Sequence, residues 1–163
     1  MKILPADKAY LLAIPSGRIL GIDYGEKRIG LAVSDPLQFS AFSLKTLRNE
    51  GIRSVAEKLQ AIIAEQNIRA IVIGKPIQMS GEAGEMCRKA EQFANQLASV
   101  LVDMPIFLWD ERWTTLSAER LLRETGRSPS QEKEQVDQIA AAYLLQSFLQ
   151  RLDVVKRTAD QQT

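Results

Sequence analysis

The chain has 163 residues, and its 21 Lys and Arg side chains nearly balance its 20 Asp and Glu side chains, with no histidine and one cysteine. This length suits one domain, and a composition that is 45% hydrophobic and 25% charged argues against global disorder. The missing histidine excludes a Ser-His-Asp triad and His-ligated zinc or haem, and the lone cysteine excludes an internal disulfide. Any catalysis therefore rests on carboxylates, hydroxyls, Lys, Arg, backbone amides or a hard metal ion.

The hydrophobic pattern predicts three short strands followed by alternating helices and strands, in the order β-β-β-α-β-α-β-α-α. The predicted strands cover residues 18–24, 27–34, 42–47, 70–73 and 105–109. The predicted helices cover residues 51–66, 82–101, 115–124 and 132–152. A meander that leads into alternating strands and helices predicts an α/β fold with a mixed sheet covered by helices.

Both ends of the chain lack a sustained pattern and are expected to be peripheral. We expect an N-terminal extension at residues 1–16, one domain at 17–152 and a C-terminal tail at 153–163. The apolar run at residues 9–14 falls far short of the roughly 20 residues that a membrane span needs, so no membrane association is expected. With no export signal and a single cysteine, the cytoplasm is the expected location.

Acidic side chains follow two predicted strands and recur on the last predicted helix. Asp23 ends the first strand, Asp110 and Glu111 follow the strand at 105–109, and Asp137 adjoins the apolar stripe of the last helix. Each has an ordinary structural interpretation when taken alone. Asp23 can form a turn, and the other acids can lie favourably near the start of a helix.

Taken together, the acids indicate a shared site. Strand ends and a helix can converge at one edge of a mixed sheet, and the three alanines after Asp137 (residues 140–142) would let that helix approach the sheet closely. Converging carboxylates repel one another unless they bind hard divalent cations through oxygen. Two such ions about 4 Å apart can clamp the attacking and leaving oxygens of a phosphodiester. This chemistry requires no histidine.

Four ordered motifs between residues 18 and 150 resemble those of the YqgF family, an RNase H-like group related to RuvC and described as Holliday junction resolvases and pre-16S rRNA nucleases. The motifs are GIDYG-x-KRIGLAVSD at 21–35, IVIGKP at 71–76 with MSG at 79–81, DERWTT at 110–115 with AE at 118–119, and VDQIAA at 136–141. The resemblance implies an RNase H-like fold, with a five-stranded mixed sheet, three strands of it antiparallel, flanked by helices.

The resemblance also implies that Asp23, Glu111 and Asp137 are the catalytic acids and the ligands of two Mg²⁺ or Mn²⁺ ions. The implied function is a metal-dependent endonuclease that processes the 5′ end of pre-16S rRNA, with ribosomal precursor particles as further partners. One alternative is a Holliday junction resolvase that acts on branched DNA. Others are a nucleotide-binding protein and a non-catalytic nucleic-acid-binding module of the same fold. The sequence leaves both a monomer and a homodimer open.

Basic and aromatic side chains near the acids are candidates for nucleic-acid contact, although solvated surface charge explains each basic one equally well. These candidates are Arg28, Lys75, Arg112, Trp113 and Arg127. Trp109 and Cys87 are expected to pack in the interior. The segment before Asp137 is less basic than the family pattern, which bears on how strongly the substrate is held.

Overall fold

The computed structural model describes residues 3–76, 81–111 and 129–161. Within these ranges the chain forms six strands and four helices. In chain order they are β1 (Ile3–Leu4), α1 (Lys8–Leu12), β2 (Arg18–Asp23), β3 (Arg28–Ser34), β4 (Ala41–Arg48), α2 (Ile52–Gln66), β5 (Ile68–Pro76), α3 (Gly81–Val100), β6 (Ile106–Glu111) and α4 (Pro129–Gln161).

The strands form one mixed sheet in the order β1-β6-β5-β2-β3-β4. Strands β2, β5 and β6 run parallel, whereas β2, β3 and β4 form an antiparallel meander. The ends of β2, β5 and β6 and the start of β3 therefore lie along one edge of the sheet, which we call the carboxyl edge. All five strands predicted from the sequence are present, and the mixed sheet is confirmed.

A sixth strand, β1, was not predicted. Its two residues pair in parallel with β6, with Ile3 opposite Ile106. A strand of two residues is too short to show the alternation on which sequence prediction depends. It comes from the segment that the sequence analysis expected to be peripheral.

Helices cover both faces of the sheet. On one face, α2 and α3 pack on alternate strand residues such as Leu20, Ile22 and Ile71. On the other face, α4 packs on the intervening residues, which include Ile19 and Val72. We call these the α3 face and the α4 face.

Helix α4 is longer than the predicted 132–152 because it begins at Pro129 and ends at Gln161. Its last turns bury Val155, which has 5% exposure, in the same apolar cluster as Leu11 of α1. The predicted helix at 115–124 lies outside the described residues. None of the described helices is both long enough and apolar enough to cross a membrane.

Candidate active site

Asp23 and Asp137 meet at the carboxyl edge, on the α4 face. Asp23, the last residue of β2, lies opposite Gly30 of β3. Residues directly opposite in an antiparallel pair project to the same face. A Cβ atom on Gly30 would lie 2.9 Å from the Asp137 Cβ and only 2.0 Å from the Asp137 carbonyl oxygen. The helix therefore rests on the bare backbone of β3, which brings Asp137 to the strand position opposite Asp23.

The close approach of α4 depends on two glycines in neighbouring strands. A Cβ on Gly21 would lie 2.9 Å from the Leu145 Cβ and 3.2 Å from the Ala141 carbonyl oxygen. Together with Gly30, Gly21 lets α4 run across the centre of the sheet. This role was not predicted from the sequence, although a glycine inside a predicted strand is a recognised sign of close backbone approach.

Glu111 reaches the same edge through its strand. It is the last residue of β6, in register with Pro76, and follows Trp109 by two residues. Strand β6 is two positions from β2, and Glu111 lies two residues beyond the level of Asp23, so the ends of the two strands are about 12 Å apart. The structure describes the backbone of Glu111. No group of three metal-binding side chains is found among those described, a set that does not include the Glu111 carboxylate.

Arg28 is the immediate partner of Asp137. Its Nε donates to Asp137 Oδ2 at 2.9 Å, and the Asp137 side chain is only 20% exposed. Burial raises the pKa of Asp137, and the Arg28 guanidinium opposes that shift. Asp137 is thus a mostly desolvated carboxylate with a guanidinium cation beside it.

The turn between β2 and β3 is held from two sides. Asn49 donates from its backbone N to the Lys27 carbonyl oxygen at 2.9 Å and from its side chain to the Gly25 carbonyl oxygen at 3.0 Å. On the α3 face, the Lys89 ammonium contacts the Glu26 carboxylate. These contacts fix the direction in which β3 begins and therefore the position of Arg28.

Lys75 lies on the opposite face from Asp23 and Asp137. It follows Ile71 and Ile73 in alternation on the α3 face, and its Nζ forms a 2.8 Å ion pair with Glu91 of α3. The hydrogen bond to Glu91 raises the pKa of Lys75, and the negative charge of Asp110 raises it further. Lys75 therefore has an intramolecular partner, and the structure does not bring it to Asp23 and Asp137.

The remaining candidates have mixed outcomes. Trp109 packs as expected, edge-on to Phe148 with ring centroids 5.5 Å apart. Cys87 is half-buried rather than in the core, because α3 turns its Sγ toward Glu91, 3.7 Å away. Three residues proposed for nucleic-acid contact lie outside the described residues, namely Arg112, Trp113 and Arg127.

A family model described as "RuvX: Holliday junction resolvase" matches residues 17–151. The chain belongs to the RuvX family. A relative from Koribacter versatilis, named "Putative pre-16S rRNA nuclease", is 42% identical over 135 residues, which are 83% of this chain and 88% of the relative. A RuvX relative of the same name from Roseobacter denitrificans is 38% identical over 162 residues, 98% of this chain and 99% of the relative. The resemblance to the YqgF family is confirmed.

The fold of this RuvX protein is also that of a solved structure. It is similar to Thermus thermophilus RuvC in complex with a Holliday junction substrate, with a TM-score of 0.51 and 16% identity, over 83% of this chain and 96% of that chain. At this identity the similarity concerns the fold alone. The expected RNase H-like architecture is confirmed, with β1 as an additional edge strand.

Proposed function

We propose that this RuvX protein is a metal-dependent endonuclease that processes pre-16S rRNA, with Asp23, Glu111 and Asp137 as its catalytic acids. The observation that carries the proposal is the seating of Asp137 on Gly30, directly across from Asp23. The curated relatives, at 38–42% identity over most of the chain, support this substrate. We assign the activity to residues 17–152 and keep the cytoplasm as its expected location.

The described donors suit a hard cation. Asp23 and Asp137 offer carboxylate oxygens, which Mg²⁺ and Mn²⁺ prefer over sulfur or nitrogen ligands. The ion pair between Arg28 and Asp137 supports an affinity of this position for positive charge. We propose that Glu111, at the end of β6, completes the set for two ions. Ions held there would supply activation of the attacking water and stabilisation of charge on the leaving oxygen.

The chain itself fixes the positions of the acids and partly excludes water from them. Asp23 lies on β2, which is hydrogen-bonded to a neighbouring strand on each side, so its backbone is rigidly held. Asp137 is mostly shielded from water by its contact with β3, which strengthens its attraction for cations. If the Asp137 carboxylate held a cation, the Arg28 guanidinium beside it would be available to a phosphate of the bound strand. The expected products carry a 5′-phosphate and a 3′-hydroxyl.

The test compares acid variants of the full chain on a precursor 16S rRNA fragment with Mg²⁺ or Mn²⁺. We expect Asp23→Asn, Glu111→Gln and Asp137→Asn each to slow cleavage about 100-fold or more, because each removes a ligand that stabilises transition-state charge. Asp110→Asn is the matched control, since Asp110 is an exposed carboxylate beside Glu111 in sequence. The control should cut within about twofold of wild type. Acid variants that all cut at the wild-type rate would show that the site is wrongly assigned.

Branched DNA is the second candidate substrate, and the description of the family favours it. A four-way DNA junction assayed beside the RNA distinguishes the two. Symmetric cutting of two strands requires two active sites and hence a dimer. Junction cleavage faster than RNA cleavage, by a protein whose measured mass is that of a dimer, would replace the rRNA proposal with this one.

A further inference from the structure

A second arginine lies directly beside Arg28 at the carboxyl edge. In the antiparallel pair of β3 and β4, Arg28 is in register with Arg48, the last residue of β4. Residues directly opposite in such a pair have Cβ atoms about 5 Å apart. The two arginines therefore begin from neighbouring points on the sheet.

Arg48 belongs to the same face as the acids. Its neighbour Leu47 is buried in the apolar cluster under α2 and α3. Thr46, two residues before Arg48, donates from its hydroxyl to the carbonyl oxygen of Glu134 in α4, at 2.7 Å. Because side chains alternate along a strand, Arg48 projects to the α4 face with Thr46 and Arg28. The register shift in this strand pair lies further along, between Leu31 and Ala32, and does not disturb that alternation.

The pairing of two arginines opposes folding, because like charges directly opposite in a sheet repel. Arg28 is compensated by Asp137. Arg48 is exposed, and among the described residues no carboxylate lies within 4 Å of it. The repulsion thus has no compensating contact in the described part of the fold. It would be relieved by an anion bound between the two guanidinium groups.

We propose that Arg48 and Arg28 together bind a backbone phosphate of the strand being cut. The inference rests on the proposed nuclease function and deepens it. Strand β4 is two positions from β2, and Arg48 lies two residues beyond the level of Asp23, so Arg48 begins about 12 Å from Asp23. At that distance Arg48 contacts a phosphate next to the scissile one, and it acts as a binding and positioning residue. A planar guanidinium suits this role because it can donate two parallel hydrogen bonds to one phosphate.

The low net charge of the chain makes the Arg28–Arg48 pair important for binding nucleic acid. The formal net charge is only +1, so long-range attraction to nucleic acid is weak. Phosphate contacts nevertheless dominate nucleic-acid affinity. Affinity must then come from basic groups concentrated near the acids, and the Arg28–Arg48 pair lies beside them on the α4 face.

The experiment measures binding of a fluorescein-labelled RNA hairpin by the full chain in EDTA, at a series of salt concentrations. Arg48→Gln should weaken binding about fivefold and reduce the slope of log K against log salt by about 0.7 to 0.9, the value for one lost phosphate contact. Arg53→Gln, which removes an exposed arginine from α2, should leave the slope at the wild-type value. Arg48→Lys should retain the slope and part of the affinity. An unchanged slope in Arg48→Gln overturns the proposal.

Two further readouts separate this proposal from misfolding and from failure of the nuclease assignment. Arg48→Gln should melt at or above the wild-type temperature, because it removes repulsion, and a lower melting temperature would count against the proposed pair. In a cleavage assay, it should raise KM more than it lowers kcat. In one outcome, wild type cuts neither RNA nor DNA while Arg48→Gln still shows the reduced slope of log K against log salt. In that case the nuclease assignment fails and the phosphate site stands.

Discussion

Asp137 occupies a position that costs stability. Its carboxylate is mostly removed from water, and one guanidinium is its described partner. Removing charge from water is costly unless partners replace the lost hydration fully. The raised pKa of Asp137 reflects that imbalance, with burial as its first cause. Such strain is common where a chain keeps a charged group for function.

Asp137→Asn should therefore melt at or above the wild-type temperature at pH 7, by up to about 3 °C, while cleavage is lost. The difference in melting temperature between Asp137→Asn and wild type should shrink as the pH is lowered. A raised pKa means that the folded wild type takes up its proton before the unfolded chain does, and this stabilises it as the pH falls toward the ordinary value of 3.8. Thermal melts of both proteins between pH 7 and pH 4 measure the trend. A marked loss of stability at pH 7, compared with Asp110→Asn, would contradict it.

At the scale of elements, the contact between α4 and β3 decides where the acids meet. The helix backbone lies on Gly30, where a single added carbon would come within 2.0 Å of the Asp137 carbonyl oxygen. A backbone atom cannot yield as the end of a flexible side chain can. Any side chain at position 30 must therefore displace the helix or bend the strand.

Gly30→Ala should lower the free energy of unfolding by about 2 to 3 kcal/mol, because the new methyl group overpacks a closed contact. It should also abolish cleavage by moving Asp137 away from Asp23. Gly84→Ala is the control, since nothing lies within 4 Å of the added carbon in α3. The control should gain about 0.5 to 1 kcal/mol from the better helix propensity of alanine. Urea unfolding distinguishes the two, and equal stability of both variants would refute the proposed packing.

The sequence predicted the elements better than the contacts between them. Five strands and three helices follow from alternation and helical spacing, signals that depend only on local order. The two-residue β1 and the last turns of α4 do not, because β1 is held by its pairing with β6, and the last turns of α4 are held by the packing of Val155 in the apolar cluster that contains Leu11. The face to which Lys75 projects also needed the structure, since a loop after a strand could not be assigned a register. The pairing of Arg28 with Arg48 likewise depends on strand register.

At the scale of the whole molecule, the N-terminal segment is built into the fold. Strand β1 extends the sheet beyond β6, and α1 inserts Leu11 at 0% exposure into the cluster under α4. The segment thus joins the helix that carries Asp137 to the strand that ends in Glu111. It extends the core on the α4 face.

Leu11→Ala should lower the free energy of unfolding by about 2 to 4 kcal/mol, through lost burial and the cavity left behind. Leu12→Ala is the matched control, because Leu12 is its neighbour in α1 with 41% exposure. The control should change stability by less than about 1 kcal/mol. Chemical denaturation of the two variants measures the difference, and equal losses would show that α1 does not contribute to the core.

The Arg28–Asp137 bond joins residues 109 positions apart, and its second partner lies on the last helix of the chain. A nascent chain that has formed the β2–β3–β4 meander still lacks two of the three proposed acids, Glu111 and Asp137, and the helix that seats Asp137. Cutting ability would therefore arise only after α4 has been made and has joined the sheet. A nuclease assembled in this order would be inert until the ribosome, the kind of particle whose RNA it is proposed to mature, has synthesised the helix that carries Asp137.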